Sequence, residues 1–285
     1  MRTFRMLAVL AVSVLVMLGV ALLILGGLFS DGVSMAQMRS GYSCCVALFA
    51  AQFVLIVLIA PAMTSGAIAG ERERQTLELL LVTNTGPLRI VTGKVLESLA
   101  FLALLILSGM PVMCLTMLTG GVTILQILMG EGFLLCCAFG AVCVGVFASS
   151  LTRSTVLSTI LCYLMILAIG ALTTLPAFTG YPQRITDVLY DPKQYKALTS
   201  FGAVLMISPF LLMNPGYGLF ALVQSVSGLL TQSLNERGWG RILATWMTMD
   251  KAGLDTVTLL SGGMIVAAGV LLTLLAALRL RQSRG

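Results

Sequence analysis

Long apolar stretches dominate this chain, and short polar segments separate them. Six of the stretches approach or exceed the roughly 20 apolar residues that a helix needs to cross a bilayer. They cover 6–29, 44–69, 95–118, 132–148, 155–175 and 257–278. The pattern therefore predicts an all-α integral membrane protein, with one transmembrane domain over 1–285 and six transmembrane helices.

Two of these stretches carry further information. The apolar region of a secretory signal peptide is about 7–15 residues long, and 6–29 is longer, so we interpret it as a retained span. The fourth stretch is rich in Gly, Ala and Cys and follows a short connector, 120–130. Small residues let helices approach closely, so we expect the fourth span in the middle of the subunit.

The longest segment between predicted spans, 178–254, lies between the fifth and the sixth. Its middle part, 197–235, carries no charge, but Pro, Asn and Gly residues between Pro209 and Gly218 divide it into two short apolar pieces. Backbone polar groups must be hydrogen-bonded within lipid. We therefore predict two extracellular or re-entrant helices that enter the outer leaflet and return. The alternative is one complete crossing, which would give seven spans.

Basic residues favour six spans over seven. With six, the termini, the loop after the second span and the turn after the fourth share one side. That side carries Arg2, Arg5, Arg72, Arg74, Arg89, Lys94, Arg153, Arg279, Arg281 and Arg284. Cytosolic loops are enriched in Lys and Arg, and a seven-span topology would place the basic C-terminus outside. We therefore predict that both termini are cytosolic.

Composition narrows the functional classes. The chain of 285 residues is 58% hydrophobic and 10% charged, unlike a soluble domain. Its net charge of +6 lies beside apolar spans, so nucleic acid is not an expected partner. It has no histidine, which excludes His-dependent catalysis and His-ligated metals. The cysteines are expected to be packing residues rather than metal ligands; they are Cys44, Cys45, Cys114, Cys136, Cys137, Cys143 and Cys162.

The sequence Thr92-Gly93-Lys94 does not complete a phosphate-binding loop. That pattern requires glycine at position 88 and serine or threonine after the lysine, and Leu88 and Val95 stand there instead. The chain is therefore not expected to bind ATP by this route. It also lacks a Ser-based or paired-carboxylate hydrolytic pattern, so we do not expect an enzyme.

A charged segment, 70–97, stands between the second and third predicted spans. Helical spacing places Glu71, Arg74 and Glu78 on one stripe, where they can pair along the surface. Leu77, Leu80 and Leu81 lie on another side, which makes a helix over 70–82 amphipathic. Pro87 suits the first turn of a second helix that runs into the third span. By itself the pattern fits either a solvated helical loop or a docking helix.

The order of residues in this segment resembles the ABC type-2 permease family. The resemblance rests on Gly-Glu-Arg-Glu-Arg-Gln-Thr-Leu-Glu-Leu-Leu-Leu at 70–81, Thr-Gly-Pro at 85–87 and Ile-Val-Thr-Gly-Lys at 90–94. Residues 149–155, Ser-Ser-Leu-Thr-Arg-Ser-Thr, resemble the family's short cytosolic turn, and Ile207-Ser208-Pro209-Phe210 is a weaker match.

The resemblance implies the membrane permease subunit of an ATP-binding-cassette transporter, usually an exporter, in the plasma (inner) membrane. Its coupling helix would dock on a separate cytosolic ATPase, which binds ATP and Mg²⁺, and a second permease subunit, identical or different, would complete the pathway. The implied docking residues are Glu71, Arg72, Glu73, Arg74, Gln75, Thr76, Leu77, Glu78, Leu80 and Leu81. The alternatives are a stand-alone secondary transporter or channel, and a non-transporting membrane scaffold of the same fold.

Glu131 is the acidic residue at a plausible membrane depth, directly before the fourth predicted span. An ionised carboxylate at the bilayer centre costs roughly 2.5–3.5 kcal/mol on insertion scales. One interpretation makes Glu131 a substrate or proton contact on the transport path. The other places it, solvated, at the outer interface beside Gly130 and Gly132. We favour the second, because interfacial acids cost little.

Overall fold

The computed structural model describes residues 2–30, 36–75, 86–118, 122–178 and 251–282. All regular secondary structure in these residues is α-helical, which confirms the predicted all-α class there. The helices are α1 (Arg2–Ser30), α2 (Ala36–Thr64), α3 (Gly66–Glu73), α4 (Pro87–Leu118), α5 (Ile124–Leu151), α6 (Thr155–Phe178) and α7 (Lys251–Gln282). The charge-free part 197–235, with its predicted re-entrant helices, lies outside the described residues.

Several helices are long and apolar enough to cross a membrane. Within the described residues five stretches meet that criterion: Cys44–Glu73, Pro87–Met117, Ile124–Leu151, Thr155–Leu172 and Thr258–Arg281. A shorter apolar stretch, Leu7–Leu23, lies in α1. The chain is therefore a multi-pass helical membrane protein, and the count of six spans stays a prediction.

Helix boundaries follow the local sequence signals at the charged segment. Helix α4 begins at Pro87, as predicted, and continues without a break into the third apolar stretch. Helix α2 contains Pro61 and ends three residues later at Thr64. Proline lacks an N–H group and its ring clashes with the preceding turn, which favours a break there. Only Ser65 separates α2 from α3.

The predicted connector at 120–130 is wrong in its second half, because α5 already begins at Ile124. The Thr123 backbone N–H donates to Gln126 Oε1 at 2.8 Å and so closes the first turn. Gly130, which resembles a loop residue in the sequence, is helical and packs against the ring of Phe49 on α2. Tertiary packing therefore explains a glycine that local propensity assigns to a loop.

Residues 1–166 and 266–285 form one compact unit. Within it α4 and α5 pack against each other, α2 packs against both, and α1 packs against α2 and α4. In the most apolar window of α5 61% of the residues are buried, against 44% for those of α2 with α3 and of α4. The fourth predicted span therefore lies in the interior of this unit, as its small residues predicted. In the second unit, 167–265, Ser261 is buried and donates to the Thr258 carbonyl.

Candidate coupling site

Helix α3 is held against the end of α5 by one buried serine. Ser149 Oγ accepts hydrogen bonds from the backbone N–H groups of Ile68 and Ala69, at 3.0 and 2.9 Å. The same hydroxyl donates to the Ser65 carbonyl at 2.7 Å. The first N–H groups of a helix have no partner within the helix. Ser149 therefore caps α3 from a different helix, across about 80 residues of sequence.

Two charged residues at the end of α3 bind the turn between α5 and α6. Arg72 Nη1 donates to the Thr152 carbonyl at 3.0 Å. The Glu73 carboxylate accepts from the backbone N–H and from the hydroxyl of Thr155, both at 3.0 Å. Thr155 is the first residue of α6, so Glu73 supplies an acceptor, and a negative charge, at the start of that helix.

A third charged residue connects α3 to α4. Lys94 Nζ lies 2.8 Å from Glu71 Oε1 and 3.8 Å from Glu97 Oε2. The Lys94 and Glu71 side chains are only 30% and 20% exposed. The sequence analysis expected Glu71 to pair along its own helix with Arg74. The structure instead directs Glu71 to the neighbouring helix, because α4 starts beside α3.

Helix α3 starts and ends earlier than the predicted helix at 70–82. It begins at Gly66 and ends at Glu73, after which the N–H groups of Arg74 and Gln75 donate back to the carbonyls of Gly70 and Arg72. Gln75 has a φ of 58°, the left-handed conformation in which many helices end. Arg74 and Gln75 are exposed. Thr76, Leu77, Glu78, Leu80 and Leu81 lie outside the described residues.

The structure therefore brings together the two motifs that carried the family resemblance. Residues 71–73 of the charged segment and the turn at 149–155 form one polar junction with the start of α4. We call this junction the coupling site; its members are Glu71, Arg72, Glu73, Lys94, Ser149, Thr152 and Thr155. These contacts connect α3 to the starts of α4 and α6 and to the end of α5.

Glu131 lies away from the coupling site, in the helical interior. Its side chain is only 5% exposed, and its Oε2 atom accepts a hydrogen bond from Gln52 Nε2 at 3.2 Å. Gln52 is 1% exposed and also donates to the Ile106 carbonyl at 3.0 Å. This burial contradicts the interpretation of Glu131 as a solvated interfacial residue. The earlier start of α5 explains the difference, because Glu131 lies two turns inside the helix.

Sequence reasoning missed Ser149 as a cap and Gln52 as the partner of Glu131. Ser149 stood within a recognised motif, but nothing in the motif shows which backbone groups the hydroxyl binds. Gln52 could have been found from the sequence, because it is a polar amide inside an apolar stretch. Polar residues within membrane helices generally face other helices rather than lipid.

These features define the chain as a multi-pass α-helical membrane protein with a polar helical junction at one end. A family model described as "ABC-2 family transporter protein" matches residues 2–275, and the chain belongs to that family. It is therefore a permease of an ATP-binding-cassette transporter, a class that works in the membrane with an ABC ATPase subunit. Members of the family are typically non-enzymatic membrane subunits. No curated protein matches the chain.

Proposed function

We propose that this chain is the membrane subunit of an exporter and that a separate cytosolic ATPase moves it through the coupling site. The observation that carries the proposal is the attachment of α3. Ser149 caps its start, Arg72 and Glu73 bind the α5–α6 turn, and Glu71 pairs with Lys94. A helix attached in this way cannot move without its neighbours.

The mechanism follows from these attachments. The ATPase binds ATP and Mg²⁺, changes shape, and displaces the segment 71–81. Because α3 is linked to the ends of α4, α5 and α6, that displacement is passed to three membrane helices. Packed helices move as rigid bodies over small distances rather than deforming continuously. The membrane part therefore responds by rearranging its helices around the transport path.

We assign docking on the ATPase to residues 76–81, the part of the segment that follows α3. The charged residues 71–73 contact other parts of the chain, and Glu73, Arg74 and Gln75 are exposed. We therefore assign the apolar anchors of the interface to Leu77, Leu80 and Leu81. Thr76 and Glu78 would lie at its rim. Buried apolar anchors hold a complex together, while rim charges mostly steer association.

The assembly is expected to contain two permease subunits and two ATPases. A chain of six spans supplies half of a pathway, and the second subunit is a copy of this chain or a related one. Positive charge near the predicted inner ends of the spans supports cytosolic termini, and the family resemblance supports the plasma (inner) membrane. ATP and Mg²⁺ belong to the partner, because the chain lacks a phosphate-binding loop pattern.

The test uses the purified complex with its ATPase in proteoliposomes. Leu77→Asp and Leu80→Asp place a charge in the assigned apolar interface, and we expect at least a tenfold weaker association with the ATPase. Glu71→Gln should have a much smaller effect on association. Loss of association and loss of ATP-driven transport should coincide. If both leucine variants bind the ATPase and transport as the wild type does, the segment is a loop and the proposal fails.

A second variant separates docking from transmission. Glu73→Ala removes the link between α3 and the start of α6, while the assigned docking leucines stay in place. We expect the ATPase to remain bound, with less transport for each ATP hydrolysed. Arg74→Ala is the matched control, because Arg74 is an exposed neighbour of Glu73. Equal transport by the two variants would contradict transmission through Glu73.

A further inference from the structure

Gln52 of α2 and Glu131 of α5 form a polar pair in the interior of the helical unit. Their side chains are 1% and 5% exposed, and Gly109 and the Ile106 carbonyl lie against Gln52. A carboxyl group in such a position is costly when ionised unless hydrogen bonds or an opposite charge compensate it. The pair is outside the coupling site, and the proposed coupling mechanism does not use it.

The orientation of the Gln52 amide follows from its partners. The Ile106 carbonyl can only accept a hydrogen bond, so the atom 3.0 Å from it must be the nitrogen Nε2. The same nitrogen lies 3.2 Å from Glu131 Oε2 and donates its second hydrogen there. Both Gln52 hydrogens are therefore used, and the Gln52 oxygen Oε1 remains as an acceptor.

Among the described residues, two buried oxygen atoms of the pair have no hydrogen-bond partner, Gln52 Oε1 and Glu131 Oε1. An ionised Glu131 is an acceptor only, so it leaves both atoms without a donor. A single hydrogen on Glu131 Oε1 supplies the donor that the pair lacks. An acid and a primary amide then match each other: the amide N–H donates to one acid oxygen, and the acid O–H donates to the amide oxygen.

We propose that Glu131 binds a proton at Oε1 in this conformation and that Gln52 is the partner that holds the neutral acid. The O–H group donates to Gln52 Oε1, while Gln52 Nε2 donates to Glu131 Oε2. The pair then carries no net charge and leaves neither oxygen without a partner. This proton site goes beyond the proposed export function and does not depend on it.

The surroundings favour a proton over a metal cation. Hard cations such as Ca²⁺ and Mg²⁺ take six or more oxygen ligands, whereas the pair offers two unpartnered oxygens. On α2 the Cys45 thiol lies within electrostatic range of Glu131, and from α4 Thr116 hydrogen-bonds to that thiol. A thiol supplies no positive charge to the pair.

The site makes the interior sensitive to hydration. While α2, α4 and α5 are packed together, the proton stays on the acid because an ion would be left without solvation. If transport separates these helices and admits water, Glu131 can ionise and place a negative charge on the newly opened surface. Opening would then release a proton, and closing would take one up.

The test is infrared difference spectroscopy on the purified protein in proteoliposomes. A protonated carboxyl group has a C=O stretching band distinct from that of a carboxylate, and exposed acids are ionised at neutral pH. Subtracting the spectrum of Glu131→Gln should reveal one acid band in the wild type at pH 7. Gln52→Leu removes both amide hydrogen bonds and should shift that band.

Adding sodium at fixed pH distinguishes a bound proton from a bound metal cation. The acid band should be unchanged by sodium and should disappear only at high pH. Absence of an acid band at pH 7, or its loss on adding sodium at that pH, would overturn the proposal. The first result would leave an ionised Glu131, and the second would indicate a cation site.

Thermal unfolding in detergent supplies an independent measurement that does not rely on Gln52→Leu folding. The native state would hold one proton that the unfolded chain has released at neutral pH. Relative to Glu131→Gln, the folding equilibrium constant of the wild type should therefore fall about tenfold for each pH unit above the ordinary glutamate pKa of about 4.3, until Glu131 ionises in the folded protein. The substituted amide preserves both hydrogen bonds without a titrating group. Parallel pH profiles for the two proteins would contradict the proposal.

Discussion

Ser149 shows how much a single residue decides in this fold. Its hydroxyl satisfies two buried N–H groups of α3 and donates to the Ser65 carbonyl. The neighbouring Ser150 is equally buried, but its hydroxyl donates only to the Phe147 carbonyl of its own helix. Two adjacent serines thus have different roles, one between helices and one within a helix.

At this scale we predict that Ser149→Ala destabilises the protein by about 1–3 kcal/mol, because buried donors lose their acceptor. Ser150→Ala, the matched control, should change stability by less than about 0.5 kcal/mol, as most substitutions without such a mechanism do. Thermal unfolding in detergent measures the stability. Hydrogen exchange at Ile68 and Ala69 should increase only in Ser149→Ala. Equal exchange in both variants would show that Ser149 does not cap α3.

At the scale of elements, the packing of α5 depends on where its glycines face. A Cβ atom added at Gly145 would overlap the Thr64 side chain of α2, and one at Gly130 would overlap the Phe49 ring. Gly132 lies on the exposed side of the same helix and has nothing within 4 Å of such an atom. The helix therefore approaches α2 closely along one face only.

We predict that Gly145→Ala destabilises the protein by about 1–3 kcal/mol, through overpacking against Thr64. Gly132→Ala, in the same helix and with the same chemical change, should be neutral or stabilising by up to about 1 kcal/mol, because alanine favours helix. Comparison of their unfolding temperatures checks both. A loss of stability in Gly132→Ala as large as in Gly145→Ala would show that the contact with Thr64 does not set the cost.

At the scale of the whole molecule, the coupling site and the basic residues together indicate how the chain is oriented in the membrane. The coupling site joins the loop after the second predicted span to the turn after the fourth, and an even number of crossings places these on one side. Basic residues are concentrated on that side, which favours the cytosol. The segment 178–254 would then lie largely on the opposite side.

Single cysteines test this topology. In a background with the native cysteines replaced, a membrane-impermeant thiol reagent applied to intact cells should label Asn235→Cys and spare Asn84→Cys. Both positions lie outside the described residues. Permeabilised cells provide the control, since Asn84→Cys must then react, which distinguishes an inside location from shielding. Equal protection of both positions in intact cells would support seven spans, and labelling of Asn84→Cys there would reverse the orientation.

Some features were predictable because their causes are local. An apolar run has to be helical in lipid, since its backbone groups can be satisfied only within the segment or in a closed barrel. Pro87 at the start of α4 is equally local, because the first turn needs no N–H from that residue. The prediction of a connector at 120–130 was wrong from Ile124 onward, because the cause there is not local. Gly130 lies in a helix, and its missing side chain leaves room for Phe49, a residue about 80 positions away.

The sequence by itself determined the class of protein, the apolar helices, and the motifs that indicate an ABC-2 permease. Only the tertiary structure decided which polar groups meet. Ser149 binds the N–H of Ile68 across 81 residues, and Gln52 binds Glu131 across 79. Spacing along the chain records which side chains share a face of one helix, but it does not record which helices are neighbours. In an apolar interior the arrangement of neighbouring helices decides which polar groups are hydrogen-bonded, because a polar group there needs a partner on another helix.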